Sequence, residues 1–212
     1  MNRINKLVGT SVACVAAFLF IAGRVSATNL IVNPGFESGL TPWTYSGAGA
    51  NANGTVAFGL NGPSALGSSC AAMSNFDTST TLSLQQSTSP GSVVPGTVSY
   101  SFDVRNSSFS GGSFAYEIYS VPASGPATDL GPGTSPSYND SIWHTLSGSV
   151  TVPANVDHLT IEFDCIAGAS PSSGEDLFID NVSITQVPEP TTVTLASLGV
   201  VGTVAFGRKR KL

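Results

Sequence analysis

The chain has 212 residues, with eight Lys and Arg against thirteen Asp and Glu, for a formal charge of −5. Seven of the eight cations fall at Arg3, Lys6, Arg24, Arg208, Lys209, Arg210 and Lys211, so between residues 28 and 186 Arg105 alone stands against twelve acids, a net charge near −11. That balance excludes nucleic-acid binding, which rests on Lys and Arg neutralising phosphates, whereas an acidic surface rich in Ser, Thr and Gly suits export, solubility and divalent cations.

Arg3 and Lys6 form a basic start, Leu7 to Ala22 an apolar run, and Val25-Ser26-Ala27 a small-residue cleavage site. This is the pattern of a secretory signal peptide over residues 1–27, leaving Thr28 as the first mature residue. Cys14 leaves with it, so the mature chain holds Cys70 and Cys165. In an oxidising compartment two such cysteines most often pair, closing a loop of roughly 95 residues for about 4–5 kcal/mol on the chain-entropy account; two separate buried thiols are the alternative.

Residues 28–186 read as one all-β domain. Val98, Tyr100, Phe102 and Val104 share one face of a strand, and Phe114, Tyr116 and Ile118, then Leu146, Gly148 and Val150, then Leu159, Ile161, Phe163 and Cys165 repeat the period of two. Turn clusters such as Pro90-Gly91, Pro95-Gly96, Ser124-Gly125-Pro126 and Gly131-Pro132-Gly133 separate the runs, as in a sandwich or barrel. Residues 122–140 are poor in apolar side chains and read as a long loop. No helical period occurs outside the two ends of the chain.

Asn33-Pro34-Gly35-Phe36-Glu37 followed by Trp43-Thr44, and Asp176-Leu177-Phe178-Ile179-Asp180-Asn181-Val182 near the end, resemble the first and last strands of jelly-roll carbohydrate-binding modules of the galactose-binding-like superfamily. The resemblance implies a single jelly-roll β-sandwich. It also implies a structural Ca²⁺ held by Glu37 and Asp180. Asp180 shares parity with Phe178, Val182 and Ile184, a face expected to be buried, and an ionised carboxylate there needs a cation or several donors. Oxygen ligands suit a hard cation; a turn cap or a bulge is the alternative. Trp43, Tyr45 and Tyr138 are candidate platforms for a sugar ring, with a core role the alternative for Trp43.

Catalytic signals are weak. His144 and His158 are possible bases, and Glu162 with Asp164 or Glu175 with Asp176 possible acid pairs, but Glu162 and Asp164 lie opposite the apolar face and read as solvated. No nucleophile elbow, phosphate loop or H-E-x-x-H is present, and the chain reads as a non-enzyme.

The chain closes on Val187-Pro188-Glu189-Pro190, then Thr191 to Phe206 without charge, then Arg208 to Lys211. Each proline keeps the residue before it out of the α region, so this motif is extended. The uncharged run at 191–206 reads as a short transmembrane helix, slightly below the roughly 17–25 residues of a spanning helix, and the basic cluster at 208–211 should stay cytoplasmic. The order closely resembles the PEP-CTERM sorting tail of exported bacterial proteins, which implies processing by an exosortase-type membrane enzyme. The expected protein is exported through the inner membrane, transiently anchored, then displayed at the cell surface or in the extracellular matrix. Its expected role is structural and exopolysaccharide-associated, with recognition of extracellular polysaccharide as the alternative.

Overall fold

Runs of alternating side chains between turn clusters give eleven strands in the computed structural model, which describes residues 27–47, 54–59, 69–75, 81–107, 112–132, 138, 140–167 and 175–186. They are β1 (Thr28–Asn29), β2 (Thr44–Ser46), β3 (Gly54–Gly59), β4 (Cys70–Asn75), β5 (Thr81–Ser87), β6 (Gly96–Ser107), β7 (Ser113–Pro122), β8 (Thr128–Pro132), β9 (His144–Val152), β10 (Val156–Ile166) and β11 (Glu175–Gln186). Residues 28–186 form one compact unit. The expected signal peptide, but for Ala27, and the whole tail from Val187, including the expected helix at 191–206, lie outside the described residues. Among the described residues no helix is long and apolar enough to cross a membrane.

The strands make two antiparallel sheets. One runs β3-β4-β11-β6-β9 with β1 added to the end of β11, and the other runs β2-β5-β10-β7-β8. From β4 onward the chain changes sheet at every connection except β7 to β8, so the two sheets are built together. The expected alternation holds where both sheets meet: Val98, Tyr100, Phe102 and Val104 of β6, Phe114, Tyr116 and Ile118 of β7, and Leu159, Ile161, Phe163 and Cys165 of β10 are all buried. Phe102 is the hub, with ring centres 4.7 Å from Tyr116, 4.9 Å from Phe163 and 6.2 Å from Phe114 across the gap between the sheets. Each such edge-on pair contributes about 0.5–1.5 kcal/mol beyond area burial.

Two expectations need correction. The segment 122–140 is not one loop: β8 lies inside it and pairs antiparallel with β7. Being a short, mostly exposed edge strand, it has no buried face and so no alternation to read. In β11 the parity is broken. Leu177 and Ile179 are buried, and so are Val182 and Ile184, whereas Phe178 lies against Arg105 on the outer face. The switch is a β-bulge: Asp180 pairs with Asp103 and Ser183 with Ser101, so three steps on β11 oppose two on β6. Asn181 takes the left-handed conformation there, with φ 52°, which Asn tolerates better than most residues.

Candidate functional site

The first loop is tied to the last strand. Asn33, itself at φ 50°, donates from its side-chain amide to the carbonyls of Gly39 at 2.7 Å and Thr41 at 2.9 Å. This folds 33–41 back over the sandwich and seats Phe36 and Trp43 in the core. Their rings lie 5.0 Å apart, and Trp43 reaches Phe163 at 6.1 Å. Trp43 is 5% exposed and donates from its indole N–H to the Asn33 carbonyl at 3.2 Å. It is a core residue, not an open platform. The amide of Val182 donates to the Pro34 carbonyl at 3.0 Å, which brings the loop to the bulge.

Glu37 and Asp180 come together at that junction. Glu37 Oε1 accepts from the Ser69 amide at 2.8 Å. Asp180 is fully buried; its Oδ1 accepts from the Asn181 amide at 2.7 Å, while Oδ2 is buried with no hydrogen-bond partner. Burial first, then the nearby carboxylates of Asp103 and Glu37, push its carboxyl up to about 7 against the pull of the Asn181 amide. A buried oxygen without a donor, beside two further acids and, among the described residues, paired with no cation, fits a hard divalent ion in kind. Among the described residues no group of three or more His, Cys, Asp or Glu converges on one point, so an ion here would draw its other ligands from carbonyls, amides or water. Asp103 serves the bulge instead: it accepts from Thr145 Oγ1 at 2.5 Å and from Asn181 Nδ2 at 2.5 Å.

The outer face of the five-stranded sheet is the second candidate. Residues directly opposite on paired strands share a face, and the register sets Thr44, Gln85, Glu162, Glu117 and Pro132 in one row across all five strands. Ser83, Asp164 and Ala115 flank the row on one side, and Ser87, Thr160, Tyr119 and Asp129 on the other. Ser83 Oγ donates to Asp164 Oδ1 at 2.5 Å, and the Tyr119 hydroxyl donates to Glu117. Burial, then the acids Asp129, Asp164 and Glu162, raise the Glu117 carboxyl. Burial and Asp164 raise Glu162, and burial raises Asp164 against the Ser83 hydrogen bond. The expected pair Glu162 and Asp164 is thus real as a neighbourhood. Glu117, Asp129, Gln85 and Tyr119 join it only through the strand order β5-β10-β7-β8, which sequence periodicity does not carry.

The remaining expected residues are scattered. Tyr45 is 55% exposed on edge strand β2. Tyr138 is half-buried, one ring face covered by His144 at 3.8 Å between centres. His144 is held by Asp140 at 2.9 Å and His158 by Asp157 at 2.9 Å, on different sheets. Asp176 of the other acid pair accepts from Ser74 Oγ at 2.5 Å. Cys70 and Cys165 are both buried, one in each sheet. Asn75 at the far end of β4 donates to the Cys165 carbonyl at 2.9 Å, while five strand residues, about 16 Å, separate Asn75 from Cys70.

The fold is that of the β-sandwich carbohydrate-binding modules. It is similar to a family 16 carbohydrate-binding module, with TM-score 0.52 and 13% identity over 74% of this chain and 100% of that one. It is also similar to a xylan-binding domain from Paenibacillus barcinonensis, with TM-score 0.51 and 16% identity over 76% and 95%. The enzymatically active domain of tailspike protein 4 of bacteriophage CBA120 gives TM-score 0.61 and 15% identity over 75% of this chain; the match spans 21% of the phage chain. At these identities the likeness is one of fold. The chain also carries a PEP-CTERM protein-sorting motif, matched over residues 186–211. No curated protein sequence matches it.

Proposed function

We propose that this is an exported surface protein, handed to an exosortase-type enzyme by its tail, whose sandwich holds extracellular polysaccharide along the outer face of the five-stranded sheet. The observation that carries the binding role is the row Thr44-Gln85-Glu162-Glu117, with its hydroxyl and carboxyl neighbours. It offers donors and acceptors across five strands, about 19 Å at the usual strand spacing, on an open sheet surface. Sugar hydroxyls exchange hydrogen bonds with such groups, and raised carboxyls can accept or donate. Likeness to carbohydrate-binding modules supports this reading over a purely structural matrix role.

The tail supports the rest. Val187-Pro188-Glu189-Pro190 is the motif offered for processing, residues 191–206 the transient membrane anchor, and 208–211 the cytoplasmic basic end. Glu37 and Asp180 would hold Ca²⁺, which when bound supplies the positive charge that the junction of first loop and last strand lacks. Their own part is to fix the 33–41 loop against β11.

Affinity electrophoresis of the mature protein in gels containing neutral β-glucan or xylan tests the binding role. Retardation that falls at least tenfold in Gln85→Ala and Glu162→Ala, with melting unchanged, supports it. Migration unaffected by any polysaccharide would leave the structural matrix role.

A further inference from the structure

Arg105 is the one Lys or Arg between residues 28 and 186. Its neighbours Val104 and Asn106 are buried, so Arg105 faces outward from the six-stranded sheet. Phe178 is its direct register partner on β11, and Trp143 comes from the opposite side, immediately before β9. The guanidinium carbon lies 4.2 Å from the ring centre of Phe178 and 5.2 Å from that of Trp143. A flat cation between two rings is attracted by the negative face of each, the more so when desolvated.

The unusual feature is what this arginine does not do. In a domain with twelve acids it makes no ion pair: among the described residues the ion pairs are His144–Asp140 and His158–Asp157. The carboxyls closest to it along the strands are supplied by neutral donors, Asp103 by Thr145 and Asn181, and Asp176 by Ser74. Arg105 Nε is buried with no acceptor. A buried donor left without an acceptor is costly, and a guanidinium already clamped has little rotamer freedom left to lose on binding.

We propose that Arg105, clamped between Trp143 and Phe178, recognises a carboxylate of an acidic polysaccharide, as a second subsite on the outer face of the six-stranded sheet. The guanidinium fork matches a carboxylate in bidentate fashion. Beyond Asp103 the same face is a lawn of neutral hydroxyls: Ser101, Ser147 and Ser183 in one register row, Ser99, Ser149 and Thr185 in the next. Sugar hydroxyls would meet that lawn while the acid group sits at Arg105. The five-stranded face, with Glu117, Asp129, Glu162 and Asp164 and no cation, repels a uronate. Salt limits the reach of the domain's remaining acids to about 8 Å. The inference rests on the polysaccharide reading above but uses the opposite face of the sandwich.

The test is affinity electrophoresis of the mature exported protein in polygalacturonate, in its fully methyl-esterified form, and in polyglutamate. Polygalacturonate should retard the parent and the ester should not. Arg105→Gln should weaken retardation at least tenfold, and Arg105→Lys, which keeps the charge but not the fork, severalfold. A thermal melt of each variant checks the fold; should Arg105→Gln fail to fold, Arg105→Lys and the ester comparison decide. Equal retardation by polygalacturonate and its ester, an unchanged Arg105→Gln, polyglutamate bound as tightly, or no retardation by polygalacturonate each overturns the proposal. Neutral glucan in a parallel gel reports on the five-stranded face alone, so either reading can fail without the other.

Discussion

Asp180 stands directly opposite Asp103 where β11 takes in its extra residue. Like charges placed opposite one another destabilise a sheet, yet the two carboxyls are kept at this point by Asn181, which bridges them: its backbone amide binds Asp180 and its side-chain amide binds Asp103. The bulge is therefore a device for holding a buried carboxylate in place, and it leaves Asp180 Oδ2 without a donor.

The first prediction concerns calcium at that oxygen. Melting of the mature protein should rise with Ca²⁺ and fall with chelator, by about 2.7 kcal/mol of stability at a hundredfold excess over Kd. Asp180→Asn should remove the response while leaving a folded protein. A melting temperature indifferent to both calcium and chelator sinks the site.

A second concerns acid. Glu117, Glu162 and Asp164 are raised in the folded state, burial being the first cause for each. A carboxyl raised on folding binds its proton more tightly in the native state. Its stabilisation is complete below the unfolded pKa and is lost as pH climbs through the folded value. Acidification from pH 7 toward the ordinary carboxylate range should therefore stabilise the domain, and Glu162→Gln should flatten that slope. Denaturant midpoints at several pH values measure it; parallel slopes for parent and variant would count against the argument.

A third concerns packing. A Cβ on Gly148 would collide with the hydroxyl of Tyr100, which is itself bonded to the Tyr116 hydroxyl at 3.2 Å. Gly148→Ala should cost about 1–3 kcal/mol through overpacking. Phe102→Ala, at the hub of the core, should cost about 3–5 kcal/mol. Chemical denaturation compares them, and a neutral Gly148→Ala would show that the tyrosine pair yields.

The fourth concerns sorting. In a host with the processing system, Glu189→Ala should leave a product that retains the apolar tail, heavier than the processed parent. Intact masses of surface-accessible protein decide this; equal masses with the tail present in both would favour a plain anchor.

Much of the fold was legible because β6, β7 and β10 each bury one face against the opposite sheet, and burial on one face is what writes a period of two into a strand. β8 escaped notice because an edge strand with little buried has no such imprint. The face of Phe178 is not legible in the sequence because one inserted residue at Asp180–Asn181 reverses parity, and Asn181 is the sole local hint of it. The site was legible in its parts, Glu37 and Asp180 through motifs and Glu162 with Asp164 through spacing. Bringing Glu117 beside Glu162, or Phe178 and Trp143 beside Arg105, takes pairing between strands distant in sequence.

Thr28 pairs with Gln186 in the sheet, and the Gln186 side chain exchanges two hydrogen bonds with the backbone of Val94. The last residue before the tail is thus already woven into the sheet, and it ends β11, which lies between β4 and β6. A pull applied at Gln186 along the strand loads the ladders to both neighbours in shear, with many hydrogen bonds sharing the force at once instead of parting one after another. In the proposed role, with the sandwich on a polymer and its end tethered, drag from flowing liquid would enter the fold along the line where it resists tearing best.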